Sequence, residues 1–321
     1  MQIYGNSVRT GIHSGQIHGD YNTCRELWTR ADELGYDWVS LIDHFRPHVY
    51  PPGHPCFEGT TLLAAMAAST SRIRCSILVS AITWRHPAIL ANVASTVDHI
   101  SNGRLELGVG AGGPDRAYGE YRIPFPDSAT RVEMLEEACQ VIRGLLDRDM
   151  TTFHGRHFSL QEAHLAPKPV QRHIPLIVGA EGLRGALRVA AGHGDIWNTL
   201  ACGARSYQTK LAAFEAHCEA VNRDPRDVRK SVTFRAVLAD TEGAAQKRAR
   251  ALLEDAPGEV RAEYLTLGNP DACLDDLKRF ADLGVRDFLL AVKPPIDWHT
   301  LEVFAERVAP RLRAYVTQSP G

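Results

Sequence analysis

The strongest constraint on the fold of this 321-residue chain is a rhythm: short apolar runs alternate with amphipathic stretches about eight times. A strand followed by a helix, repeated, calls for a parallel sheet, because neighbouring parallel strands need a crossover segment that packs back on them. Ile3-Tyr4 opens a first strand; Cys24, Leu27, Trp28, Ala31 and Leu34 follow at helical spacing, and Gly35 supplies the stop. Residues 38–42 read as the second strand and 62–68 as its helix, across a loop at 46–59 rich in proline, glycine and histidine. Residues 73–79 form the third strand, and the helix from Pro87 carries Ile89, Leu90, Val93, Val97 and Ile100 on one face up to Asn102-Gly103. The fourth strand, 105–109, runs into Gly110-Ala111-Gly112-Gly113-Pro114, and Val132, Leu135, Cys139, Ile142 and Leu145 mark its helix. Runs at 176–178, 195–197, 232–238 and 288–292 complete eight strands.

An open doubly wound sheet would carry a GxGxxG turn after its first strand, and residues 9–20 lack one. No Pro/Gly/Ser linker divides the chain, so the expectation is a single α/β domain over residues 1–321, a (β/α)8 TIM barrel. Residues 151–173 have no clear periodicity and read as an insertion after the fourth helix, at about 148–173.

Thirty-six Lys+Arg against 38 Asp+Glu, evenly spread, leave no basic stripe for nucleic acid and no polybasic membrane patch. No apolar run approaches the roughly 18 residues of a membrane span, and the first residues do not read as a secretion signal, so a cytoplasmic location is expected. The seven cysteines are odd in number and never spaced as CxxC, which argues against a disulfide framework or a thiolate metal site. His44, His48 and His54 match no usual zinc spacing and share no helical face; His154 and His157 read as part of a solvated hairpin. No metal site is expected.

In a barrel of this kind chemistry gathers at the C-terminal ends of the strands. Those ends are Asp43-His44-Phe45, residues 80–86, residues 110–116, Gly179-Ala180-Glu181-Gly182 and Asn198-Thr199. His44 can exchange a proton near neutral pH, with the adjacent Asp43 fixing its tautomer or binding a ligand N–H; alternatively it is a loop histidine that caps a helix or meets solvent. Gly110 to Gly113 either turn the chain or let backbone approach a flat ring or a phosphate. The segment from Gly179 to Gly182 opens the helix of Leu183, Leu187, Val189 and Ala190, so its N–H groups read as an anion site or as an ordinary helix start.

Seven segments in one order resemble the luciferase-like family of flavin- and deazaflavin-dependent oxidoreductases. They are Ser40-Leu41-Ile42-Asp43-His44-Phe45; Thr83-Trp84-Arg85-His86-Pro87-Ala88; residues 103–112; Tyr118-Gly119 with Ile123-Pro124-Phe125-Pro126; 152–156; 167–171; and 190–198. The resemblance implies a (β/α)8 barrel that binds the 5-deazaflavin F420, or alternatively FMN, at its C-terminal mouth. The Asp-His-Phe sequence is most similar to the F420-dependent branch, which implies His44 at the reaction centre and Asp43 on the cofactor. It further implies a bulge, often with a non-proline cis peptide, at Val79, Ser80 and Ala81. Gly110, Ala111 and Gly112 would lie along the cofactor, with phosphate contacts at Gly179, Ala180 and Gly182 and with Trp197 and Asn198 nearby. Where some F420-dependent relatives carry a glutamate proton donor and a tryptophan, this chain has Gly113 and His48, so His48, Arg116 and Tyr118 are the candidate replacements on the substrate side. The implied activity is hydride transfer between F420 and a small organic substrate. Alternatives are an FMN-dependent monooxygenase using reduced flavin and O2, with a separate reductase as partner, and a non-catalytic flavin-binding homologue. A homodimer is usual in the family. Phe45, Phe57, Phe153 and Phe158 read either as a partly apolar lid or as loop packing.

Overall fold

Strands buried on both faces read as continuous apolar runs, and here they close on themselves. The computed structural model describes residues 4–14, 16–17, 19–46, 53–201, 203–253 and 265–318. Its strands are β1 (Arg9–Ser14), β2 (Trp38–Leu41), β3 (Arg74–Ala81), β4 (Leu105–Gly110), β5 (Thr151–His154), β6 (Ser159–Ala163), β7 (Leu176–Gly179), β8 (Ile196–Leu200), β9 (Arg229–Phe234), β10 (Ala236–Leu238), β11 (Thr266–Gly268) and β12 (Val285–Val292). Its main helices are α1 (Tyr21–Glu33), α2 (Gly59–Ser69), α3 (Pro87–Ile100), α4 (Arg116–Glu120), α5 (Ser128–Asp147), α6 (Gly185–His193), α7 (Ala204–Ala220), α8 (Glu242–Leu253), α9 (Pro270–Asp282), α10 (Trp298–Val303) and α11 (Ala309–Gln318). Eight parallel strands form a closed barrel in the order β1-β12-β9-β8-β7-β4-β3-β2, with β5–β6 and β10–β11 as separate two-stranded pairs. No described helix is long and apolar enough to cross a membrane.

Strand alternation sorts the side chains into two cores. Outward residues such as Val39, Leu41, Leu107, Val109, Val178 and Trp197 pack beneath the helices. Inward residues Trp38, Leu78, Ile177, Ile196 and Leu289 fill the middle of the barrel. Below them lies a floor of paired charge. Arg9 donates from Nε and Nη2 to Asp287 (2.9 and 2.6 Å) and from Nη1 to Glu106 (2.6 Å); Arg74 and the Tyr4 hydroxyl also reach Glu106, and Arg229 reaches Asp287. Burial alone would raise both carboxyls, but Arg9 and Arg74 pull Glu106 below the ordinary range and Arg229 and Arg9 do the same for Asp287.

The first strand is therefore residues 9–14, and Tyr4 lies in a turn beneath the barrel; Ile3 lies outside the described residues. The inward positions of this strand are Arg9, Gly11 and His13, and Gly11 is required because a Cβ there would stand 2.5 Å from the Trp38 ring. An ion-pair anchor, a glycine and a histidine conceal the apolar alternation. Residues 151–163 hold the antiparallel β5–β6 hairpin, which carries His154. The run read as one strand at 232–238 divides: β9 stays in the barrel and β10 pairs with β11 outside it.

Candidate active site

The C-terminal mouth holds a cavity of about 560 Å³, within the roughly 300–1,000 Å³ usual for small-molecule sites. Its floor is set by Val79. The Leu78–Val79 peptide is cis, and the β3–β4 register slips between Ile77 and Ser80. A Cβ on Gly110 would stand 2.5 Å from Val79 Cγ2, and one on Gly179 would stand 2.9 Å from Val79 Cγ1. These two glycines, on β4 and β7, leave the space that the valine occupies. Gly110 thus serves a side chain of its own barrel, a role that its place in a glycine-rich loop does not reveal.

Asp43, just past β2, is buried and lines the cavity. Its Oδ2 accepts from Ser80 Oγ and from Arg85 Nη1, both at 2.5 Å, while its Oδ1 is buried with no partner. Arg85 also pairs with Glu58, the cap of α2. Burial would raise the Glu58 carboxyl, but hydrogen bonds from Thr61 and Thr60 outweigh it and bring the group to about 2. Arg85 therefore sits between two carboxylates and fixes the orientation of Asp43.

His44 takes its carboxylate partner from a distant segment. Its Nδ1 lies 3.0 Å from Oδ2 of Asp115, which also caps α4 by accepting from the Ala117 N–H. The His44 side chain is 27% exposed and that of Asp115 is 4% exposed, so the imidazole can meet a ligand while its partner stays covered. The expectation that Asp43 would fix the tautomer is thereby corrected: Asp43 is held by Ser80 and Arg85. A second imidazole, His13 from β1, lines the cavity with Nδ1 2.8 Å from Ser40 Oγ. Burial first, then the guanidinium of Arg235 and coupling to the His44 imidazole, push it down to about 4.

The side wall is aromatic. Trp84 stacks on Tyr118 (centroids 3.8 Å apart, planes 8° apart), and Phe45 meets Trp84 edge-on at 4.9 Å. The Tyr118 hydroxyl shares a 2.5 Å hydrogen bond with Thr83 Oγ1. Phe57 and Phe153 pack against the main core and Phe158 belongs to it, so they support loops and not a lid.

Of the remaining sequence candidates, Val79, Ala81, Gly110, Ala111, Gly112, Gly113, Tyr118, Gly179, Ala180 and Asn198 line the cavity. Ser80 stands behind Asp43 as its donor. Trp197 does not line it: Asn198 points inward to Ser231 and Thr233, so Trp197 points outward and stacks on Phe214 and Tyr207. Gly182 and Arg116 are exposed and lie outside the lining, and His48 lies outside the described residues. The helix of the fifth βα unit starts at Gly185, beyond Gly182, and the Ala180 N–H is already donated to the Asn198 carbonyl. Ala186, in the first turn of α6, does line the cavity. Sequence reading missed Asp115, Arg85 and His13; a carboxylate two residues past Gly113 was the available sign of the first.

A closed (β/α)8 barrel with an anchored carboxylate and a His–Asp pair at its mouth defines a small-molecule enzyme architecture. The family model described as luciferase-like monooxygenase matches residues 4–269, and the chain belongs to that family. The F420-dependent glucose-6-phosphate dehydrogenase of Gordonia bronchialis is 29% identical over 338 residues, covering 95% of this chain and 98% of its own. Pyrimidine monooxygenase RutA of Pseudomonas syringae pv. syringae is 31% identical over 228 residues, covering 70% of this chain and 62% of its own. Among solved structures, an F420-dependent secondary alcohol dehydrogenase in complex with an F420-acetone adduct superposes with a TM-score of 0.80 at 22% identity, over 95% of this chain and 99% of that one.

Proposed function

We propose that this protein is an oxidoreductase that transfers a hydride between F420 and a small organic substrate. The observation that carries the reading is the pairing, in one cavity, of the unpartnered Asp43 Oδ1 with the His44–Asp115 pair. A buried carboxylate oxygen without a donor is costly unless a ligand N–H completes it, and a deazaflavin or flavin ring carries such a group. The residues present fit the cofactor: Asp43 would accept from its ring, the Val79 bulge and Asn198 would border it, and the first turn of α6 would offer N–H groups to its anionic tail. When bound, the cofactor supplies the carbon that takes or gives the hydride.

The chain's own residues handle the proton. As a substrate alcohol loses its hydride, His44 Nε2 accepts the hydroxyl proton, and the Asp115 carboxylate at Nδ1 offsets the imidazolium charge. In the reverse direction the same nitrogen protonates the nascent alkoxide. Gly113, where some relatives carry a glutamate, leaves this role to His44. Tyr118, its hydroxyl held by Thr83, serves as wall.

Titration of the purified protein with F420 and with FMN tests the reading. F420 is expected to bind and His44→Ala to lose about 10²–10⁴ in kcat with F420 affinity kept. FMN binding with no F420 binding would refute it in favour of a flavin monooxygenase, the second reading that the similarity to pyrimidine monooxygenase supports.

A further inference from the structure

Charge is distributed unevenly between this cavity and its surroundings. Among the described residues the lining holds three carboxylates, Asp43, Asp115 and Glu181, and no lysine or arginine. Of the nearby cations, Arg85 is engaged on Asp43 and Glu58, Arg46 on Glu120 and Lys210 on Glu181, while Arg235, which acts on His13, lies outside the lining and borders a separate pocket with Pro294 and Pro295. Arg131 lies over the Phe125 ring and donates to the Pro126 carbonyl, and Arg116 is exposed outside the lining. His13 adds no charge at neutral pH, being held at about 4. Recognition of a phosphate ester ordinarily rests on a guanidinium or ammonium partner. Here a dianion placed beside His44 would instead face Asp115.

The opposite property is well developed. Trp84 and Tyr118 present a stacked pair to the cavity, and Ala81, Ala111 and Leu200 also line it. At Gly113 a Cβ would meet nothing within 4 Å, so the wall opens at the point where some relatives carry an acid.

From this we propose that the substrate is an uncharged, largely apolar alcohol or ketone whose ring or chain lies along Trp84 and Tyr118, and that phosphorylated sugars are excluded. The inference rests on the hydride-transfer reading and names its substrate class. Oxidation breaks the carbinol C–H and O–H bonds; the hydride goes to oxidised F420 and the proton to His44, giving ketone and reduced F420.

The test compares 1-phenylethanol and cyclohexanol with glucose 6-phosphate as substrates of the wild-type protein, with inorganic phosphate as a competitor. Cofactor titration is scored first and separately, and the comparison uses whichever of F420 or FMN binds; with FMN, kept reduced by an added NADH-dependent flavin reductase, acetophenone and cyclohexanone replace the alcohols under O2. A neutral probe is expected to exceed glucose 6-phosphate in kcat/KM by at least about a hundredfold. Millimolar phosphate is expected not to compete. Trp84→Ala should raise KM for 1-phenylethanol about tenfold and Trp84→Phe should largely restore it, with cofactor affinity unchanged in both. Preference for glucose 6-phosphate, competition by phosphate, or failure of every neutral probe to turn over or to quench Trp84 fluorescence saturably would overturn the inference. Loss of F420 binding alone overturns the cofactor reading and leaves the substrate comparison decisive.

Discussion

Val79 and the glycines around it offer a measurement with an internal control. A Gly110→Ala substitution puts a methyl 2.5 Å from Val79 Cγ2, more than 1 Å inside ordinary carbon contact. Overpacking of this kind costs about 1–3 kcal/mol, partly offset by the 0.5–1 kcal/mol that Ala gains over Gly in the entropy of the unfolded chain. Trimming Val79→Ala removes both methyls that clash with residues 110 and 179. In that background Gly110→Ala should therefore become neutral or stabilising, so the double-mutant coupling is about 1–3 kcal/mol. Gly108 is the control: a Cβ there stands 2.1 Å from the Ile77 carbonyl oxygen, a backbone atom that Val79→Ala leaves in place. Its penalty should persist in both backgrounds. Urea denaturation of the two cycles, followed by far-UV circular dichroism, measures the couplings. A Gly110–Val79 coupling below about 0.5 kcal/mol, or a Gly108 penalty that Val79→Ala abolishes, would refute the steric account.

Asp115→Asn, which leaves shape but removes the charge opposite His44 Nδ1, should lower kcat about ten- to a hundredfold and shift the pH–kcat profile with cofactor affinity unchanged; an unshifted profile would deny it a positioning role. Arg85→Leu strips the guanidinium from buried Asp43 and should cost about 3 kcal/mol in denaturant unfolding and weaken cofactor binding, whereas Ser80→Ala should cost about 1 kcal/mol. His13 is depressed to about 4 from 6.5, so between those values the unfolded chain binds its proton and the folded chain does not. Its contribution to stability is complete above pH 6.5 and is lost as pH falls toward 4, by about 2–3 kcal/mol in all; His13→Gln should flatten that slope in pH-dependent thermal melts.

The outward faces of the strands were legible because they are apolar on alternate positions: Val39 and Leu41, Leu107 and Val109, and Val178 all carry the rhythm. The inward faces were not, because barrel interiors accept charge and glycine where partners from other strands complete them. Arg9 needs Glu106 and Asp287, and Gly11 needs Trp38, and neither pairing is local in sequence. At the site the same division recurs. Asp43, His44, Asn198 and the Val79 bulge stand at strand ends and could be read there. The Arg85 bridge and the Asp115 partner depend on loops meeting across the mouth. Trp197 and Asn198 are both expected beside the cofactor, but adjacent strand residues face opposite sides of the sheet, so Asn198 alone of the two lines the cavity.

The charged floor has a consequence for how the chain is made. Arg9 lies on the first barrel strand, and its two carboxylate partners lie on the fourth and the last, at Glu106 and Asp287. On the ribosome the early βα units can give Arg9 only half of its countercharge, and Asp287 emerges 278 residues after Arg9. Until then the one carboxylate available to Arg9 is Glu106, which it shares with Arg74. The floor thus acts as a clasp between the first and last strands of the barrel, favouring closure at the end of synthesis.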